Sequence, residues 1–517
     1  MSPESAANAA QQIAAGYVAD GQALELGTVV IDDTADASAQ VRIPLATINR
    51  HGLVAGATGT GKTKTLQVIA EQLSAAGVPV LMADVKGDLS GLSRAGETGD
   101  KITQRATETG DDWTPTAFPV EFLSLGTGGL GIPVRATISS FGPILLSKVL
   151  RLNATQESTL GLIFHWADQN GYLLLDLKDL RSVITFLTSD AGKPQLKNLG
   201  GVSAQTAGVI LRALVNLEAE GGDTFFGEPE LKPEDLLRTD SQGRGIISLL
   251  ELGDQAARPV LFSTFLMWVL ADLFTLLPEV GDVDKPKLVF FFDEAHLLFT
   301  DASKAFLQQV EQTVKLIRSK GVGVFFCTQL PTDVPNSVLS QLGARIQHAL
   351  RAFTPLSKTV RTYPKTKVYD LESALTSLGI GEAIVTVLSE KGAPTPVAWT
   401  RLRAPRSLMA SVGDAAITAA ATASPLHAVY SETVDRESAY EILSGKLAAG
   451  EGSAPPSDPQ GYDGVPPPPK VHWWTRFGRW LAHFLSTREG KQVTRAVTTV
   501  VVGQITRGAM GTGRRRR

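Results

Sequence analysis

Eight consecutive residues, Gly56-Ala57-Thr58-Gly59-Thr60-Gly61-Lys62-Thr63, carry the densest chemistry in the 517-residue chain. The glycines remove Cβ atoms that would hold a polyanion away from backbone N–H groups, so the loop can wrap a phosphate. Lys62 would reach the β- and γ-phosphates of a nucleoside triphosphate, and the Thr63 hydroxyl would ligate Mg²⁺. An apolar run, His51–Val54, enters the loop, and helical spacing from Thr65 to Leu73 leaves it. A helix starting there adds the positive end of its dipole to the same phosphate. The pattern implies ATP with Mg²⁺, with Thr65 on the first helical turn completing the binding set.

About 230 residues later a Leu288–Phe292 run ends in Asp293-Glu294. Asp293 at the tip of a buried strand can hold the Mg²⁺ shell, and Glu294 can orient or deprotonate the attacking water. By itself such a pair could equally cap a helix. With the phosphate loop upstream, the presence of Glu294 argues for hydrolysis over mere nucleotide holding. The next run, Val322–Cys327, leads to Thr328-Gln329. Gln329 there can touch both the water and the γ-phosphate and so sense hydrolysis; the alternative is an ordinary turn residue. Cys327 reads as a small core filler. Asp84, ending another run, could touch the Mg²⁺ shell or cap a turn, and Lys86-Gly87-Asp88 could face a pore.

Positioning these groups calls for a sheet covered on both faces. Val78–Ala83, Gly245–Leu250, Leu288–Phe292 and Val322–Cys327 are continuously apolar, with helical patterns between them at Leu261–Leu277 and Ala302–Arg318. This predicts an α/β domain with a mostly parallel, doubly wound sheet. Residues from Asp88 to about Gly243 do not fit the sheet: a polar loop (93–117) is followed by helical patterns, read as a helical insertion at about 130–240. Residues 1–24 read as a frayed helix without a clear partner face. Two short strands, Leu26–Ile31 and Val41–Ile43, flank a polar turn and suggest a small β cap at 25–49. The ATPase domain is placed at 50–446, a Pro/Gly-rich linker at 447–470 and a basic helical tail at 471–517.

Composition narrows the function classes. Hydrophobic content of 43% and charged content of 20% exclude wholesale disorder. One cysteine excludes a disulfide framework and a Cys-based zinc site. The seven histidines show no metal spacing. The N-terminus has no basic region followed by an apolar one, so a cytoplasmic location is expected. Leu261–Leu277 contains Asp272 and falls short of the roughly 20 residues of a spanning helix, so it reads as a buried core helix. The net charge of −3 is unevenly spread: residues 473–517 hold ten basic residues against Glu489, leaving −12 for residues 1–472. Any polyanion contact must therefore be local. The Trp- and Arg-rich tail suits a docking helix, a nucleic acid or, less well, a membrane surface.

The phosphate loop with its preceding Arg50-His51, the LVFFFDEAH strand, RSKGVGVFFCTQLPTDVP and LGARIQHALR together resemble the HerA-like ATPases of the FtsK–HerA superfamily, in particular an uncharacterised, helicase-like bacterial branch. The resemblance covers about residues 25–405 and 487–512. It implies a RecA-like P-loop NTPase fold, a homo-hexameric ring with ATP hydrolysed at subunit interfaces, and translocation on double-stranded DNA. Archaeal relatives partner a NurA-type nuclease through an N-terminal barrel; here about 50 residues precede the loop, too few for that barrel. Such rings need an arginine delivered across the interface to the γ-phosphate. By resemblance Arg345 is the first candidate, followed by Arg50, Arg318 and Arg351. Two other readings stand beside the DNA motor: a regulatory or scaffold NTPase whose ring recruits a partner, and a membrane-associated translocase anchored by its tail.

Overall fold

The computed structural model describes residues 2–84, 87–252, 259–281, 283–351 and 356–449. The basic tail, and the linker beyond its first residues, lie outside the described residues. The described strands are β1 (Ala23–Ile31), β2 (Thr34–Pro44), β3 (Gly52–Ala55), β4 (Val80–Asp84), β5 (Val120–Leu125), β6 (Ile132–Val134), β7 (Ile247–Glu251), β8 (Leu288–Phe292), β9 (Val322–Thr328), β10 (Ala344–Gln347), β11 (Glu382–Thr386) and β12 (Ala398–Leu402). They form one sheet in the order β2-β1-β12-β11-β10-β3-β9-β8-β4-β7-β5-β6. Pairing is parallel from β10 through β6 and antiparallel from β10 out to β2. All eight parallel strands therefore present their carboxyl ends at one edge.

Phenylalanines show why these runs are apolar without alternation. On β8 and β9, Phe291 and Phe325 pack on one face with ring centroids 5.4 Å apart. Phe292 and Phe326 stack on the other, also at 5.4 Å. Each face meets its own helices, so every position of β8 and β9 is buried. On the Phe291 side lie α1 (Pro3–Ala14) and α2 (Lys62–Ala75). The second sheet-covering layer, on the Phe292 side, is discontinuous in sequence. It combines α4 (Ile138–Val149), α5 (Ala154–Gln169), α6 (Leu177–Thr188) and α7 (Ala204–Ala219) with α8 (Pro259–Leu276) and α10 (Lys304–Ile317), the short α9 (His296–Phe299) lying between the last two. Helix starts follow local chemistry: Asn153 and Asp176 close capping boxes on α5 and α6, and Ser203 caps α7. The apolar Leu261–Leu277 run is the buried α8, and no helix among the described residues is long and apolar enough to cross a membrane.

Three expectations are corrected. The stretch from Asp88 to Gly243 does reach the sheet: β5 and β6 form its far edge, and α3 (Asp100–Thr109) lies within the supposed polar loop. Strand β5 was hidden because Glu121 interrupts its apolar run, yet Glu121 is buried and paired with Arg238. The β cap is not separate, since β1 pairs with β12 and extends the main sheet. Its turn is only Asp32-Asp33, both left-handed, and the polar residues after them form the outer strand β2. A strand at the sheet edge tolerates polar residues facing water, which imitates a loop in sequence. Helix α1 does have a partner face, with Ala10, Ile13 and Ala14 buried against the sheet.

Phe291 has no measurable exposure and bridges β8 to β9 across the core. Phe291→Ala should cost about 3–5 kcal/mol, read as a lower urea midpoint with an unchanged transition slope.

Candidate phosphate-loop site

Strand β3 ends at Ala55, and the eight-residue loop turns from it directly into α2. Neighbouring strand ends fix its path. Gly56 N–H donates to the Thr328 carbonyl at the end of β9 (3.2 Å), and Ala57 N–H donates to the Ala349 carbonyl just beyond β10 (2.9 Å). Gly381 N–H donates to the Thr60 carbonyl (3.1 Å), and the Thr60 hydroxyl closes the loop onto Ala57 O (2.7 Å). Gly59 and Gly61 take left-handed backbone conformations that side chains disfavour. A Cβ on Gly56 would lie 2.5 Å from that of His348, so the close approach of β10 also demands glycine. No side chain caps the N-terminus of α2. Its first N–H groups are thus aligned as anion donors, and the Lys62 ammonium lies over the loop on the Gly56 and Ala57 carbonyls (2.7 and 3.2 Å).

Strand β9 separates β3 from β8. At one strand spacing each, the tip of β8 stands roughly 9–10 Å from the loop strand at the same edge. That span leaves room for a terminal phosphate and a water. Asp293 and Glu294 occupy the tip, and Ala295 N–H donates to the Cys327 carbonyl (2.9 Å), tying the turn to β9. Glu294 sits at φ 47°, an unfavourable conformation for a non-glycine residue, and its Oε2 is buried without a hydrogen bond. The neighbouring His296 Nδ1, at 3.3 Å, makes at most a conditional ion pair. Burial, with Glu294 beside it, pushes the Asp293 carboxyl above its usual range, while the Cys327 thiol and Lys62 pull it back. Cys327 is a buried core residue, as its sequence setting implies, lying on the strand next to the site carboxylate. Thr328 accepts from Gly56 through its backbone and donates to Asp333 through its hydroxyl (2.7 Å), leaving Gln329 exposed at the strand end beside the loop.

The other predicted residues divide clearly. Asp84 caps a turn: its oxygens accept from Gly87 and Leu89 N–H, each at 2.7 Å. Asp88 pairs loosely with Lys64 (4.0 Å), and Lys86 lies outside the described residues. Arg345 points into its own chain, where its guanidinium donates to the Thr362 and Leu339 carbonyls. Within the single chain the guanidinium thus ties β10 to the turn at Thr362. Arg50 is bound to the Ser389 and Glu390 carbonyls (both 3.2 Å) and precedes β3, while Arg318 precedes β9, so both lie at the amino edge of the sheet. Arg351 follows β10 at the carboxyl edge, with its guanidinium 3.8 Å from where a Gly59 Cβ would stand.

Two groups escaped the sequence reading. Buried His348 bonds Thr65 through Nε2 (3.0 Å), and burial drives its pKa down to about 4, with Lys62 adding to the shift. Glu251, ending β7 beside Asp84, is pushed up to about 8 by burial and then by Asp84, Asp414 and Asp88. Both sit within apolar-rich runs, and nothing local in the sequence distinguishes them.

A glycine-lined loop between a strand and a helix, with a carboxylate pair two strands away in a parallel sheet, defines a P-loop ATPase of RecA-like architecture. The profile of the helicase HerA-like C-terminal family matches residues 30–517, and the chain belongs to that family. In fold it is similar to the bacterial conjugative coupling protein TrwBdeltaN70, unbound monoclinic form, at 16% identity and TM-score 0.51 over 78% of this chain and 94% of that one. Weaker likenesses include the plasmid coupling protein TrwB in complex with ADP and Mg²⁺ (15%, TM-score 0.48, 76% and 98% coverage). Another is VirB4 of Thermoanaerobacter pseudethanolicus (14%, TM-score 0.48, 75% and 98% coverage). No functionally curated protein matches the chain.

A histidine held neutral by burial takes up a proton only on unfolding, so the unfolded state binds more protons below about pH 6.5 and stability falls as pH drops toward 4. His348→Asn should remove up to about 1.4 kcal/mol per pH unit from that slope between about pH 5 and 6, measured by urea unfolding. An unchanged slope would contradict the buried, neutral assignment.

Proposed function

We propose that this protein is an ATP-hydrolysing motor that assembles as a homo-hexameric ring in the cytoplasm and moves along double-stranded DNA. The observation carrying the ATPase reading is that the phosphate loop and the Asp293-Glu294 pair share one sheet edge, separated only by β9. Family membership supports the ring and the DNA track. Gly56 through Thr63 and the start of α2, including Thr65, hold the triphosphate. Lys62 exchanges its loop carbonyls for the β- and γ-phosphates. Thr63 and Asp293 would hold Mg²⁺, which supplies charge neutralisation between the phosphates. Glu294, strained and with an oxygen that accepts no hydrogen bond, takes the proton of the attacking water, and Gln329 orients that water against the γ-phosphate. Arg345 stays the candidate for the arginine delivered across the interface, and Arg351, at the edge of its own chain's loop, is a candidate to contact the phosphates from within the chain.

Lys62→Ala should abolish nucleotide binding or turnover. Glu294→Gln should keep binding while lowering turnover by roughly 10²–10⁴-fold, measured by phosphate release and nucleotide titration. Wild-type turnover should rise with duplex DNA, and that stimulation should fade as salt increases. Full turnover in Glu294→Gln would refute the catalytic assignment. Absence of DNA stimulation and of DNA binding at low salt would refute the track.

A further inference from the structure

Beyond β10 the chain leaves the nucleotide site along a segment of unusual charge. From Arg351 to Tyr369 there are five basic residues, Arg351, Lys358, Arg361, Lys365 and Lys367, and the first acid is Asp370. This lies in a body whose net charge is strongly negative. Arg361, Lys365 and Lys367 are exposed, and no acidic side chain among the described residues pairs with them. Three arginines on or just after β12 are treated differently. Arg401 is bound by Glu108 and Glu382, Arg403 by Glu25 and Asp111, and Arg406 by Asp111 and Asp112. Even Asp370 turns away, its oxygens capping the helix Leu371–Ser377 through Glu372 N–H and the Ser373 hydroxyl.

The three cations ride on a fixed support. Arg345, drawn inward, donates to the Thr362 carbonyl, and Thr362 and Tyr363 N–H close turns onto Thr359 and Val360. Tyr363 is buried, and at the far end the Tyr369 hydroxyl donates to the Val30 carbonyl of β1 (3.0 Å). Anchoring at both ends lowers the entropy lost when the side chains meet a ligand. Upstream, Ala349 accepts the phosphate-loop bond from Ala57, so the chain that leads to this support starts at the nucleotide site.

Exposed cations on an anchored backbone, with no acidic side chain among the described residues paired to them, match a repeating polyanion. An anionic membrane is the poorer partner, because among the described residues the patch lacks the aromatic or apolar face an interfacial segment needs, Val368 at 37% being its one large exposed apolar residue there. We infer that Arg361, Lys365 and Lys367 form a contact surface for the phosphate backbone of double-stranded DNA. This rests on the DNA-motor reading above and names where that track is gripped.

The test uses the full chain and its Arg361→Ala/Lys365→Ala/Lys367→Ala variant, with fluorescence anisotropy of a labelled duplex between about 50 and 200 mM KCl. Each lost phosphate contact should reduce the slope of log affinity against log salt by about 0.9, so the variant should lose roughly 2–3 units of slope. DNA-stimulated turnover should fall with it, while turnover without DNA stays at the wild-type level. A charge-preserving variant, Arg361→Lys/Lys365→Arg/Lys367→Arg, should retain the wild-type slope. Equal slope and affinity in the alanine variant, with the wild type binding DNA, would overturn this inference and leave the motor reading standing. A wild type that binds no duplex at low salt would overturn both. So would binding through these residues to phosphatidylserine vesicles and not to DNA.

Discussion

The hydrogen bond from Gly56 N–H to the Thr328 carbonyl joins the two strands on which the site depends. It extends the parallel β3–β9 ladder by one step past the strand ends, at the point where β3 stops being a strand and becomes a phosphate loop. On its other side β9 holds the Asp293-Glu294 turn through the Cys327 carbonyl. One strand thus sets the distance between the group that grips a triphosphate and the group that readies water. Because all three strands are parallel, the separation follows from sheet spacing and needs no long side chain to span it.

The same edge stores unfavourable arrangements that the sheet must stabilise. Glu294 is left-handed with a buried, unbonded oxygen, Asp293 and Glu251 are acids raised by burial, and His348 is held neutral beneath the loop. Each costs folding free energy. The two aromatic-rich layers around β8 and β9 oppose that cost by burying large apolar side chains on both faces. Strain concentrated at one edge, with packing concentrated in the middle, is the pattern expected where geometry is held for chemistry.

Strand β10 connects this edge to the rest of the molecule. His348 and Ala349 touch the loop from beside it, Arg351 faces Gly59, and the chain then continues into the cationic segment held by Arg345 and Tyr363.

Local patterns in the amino-acid sequence were enough to determine the phosphate loop, the acidic strand tip, the apolar strands of the sheet centre and the helices of the insertion. Each is specified by contiguous residues: glycine spacing, an unbroken apolar run, a cap followed by a 3.6-residue period. Tertiary structure alone decided what depends on residues distant in sequence. It paired β5 with β7 and β6, with Glu121 buried beside Arg238, and turned the N-terminal hairpin from a cap into the sheet's outer strands. It also turned Arg345 inward and left Arg351 at the loop. A polar residue's use depends on which distant group lies within about 3 Å of it, and that is set by how strands are ordered in space, not by their neighbours along the chain.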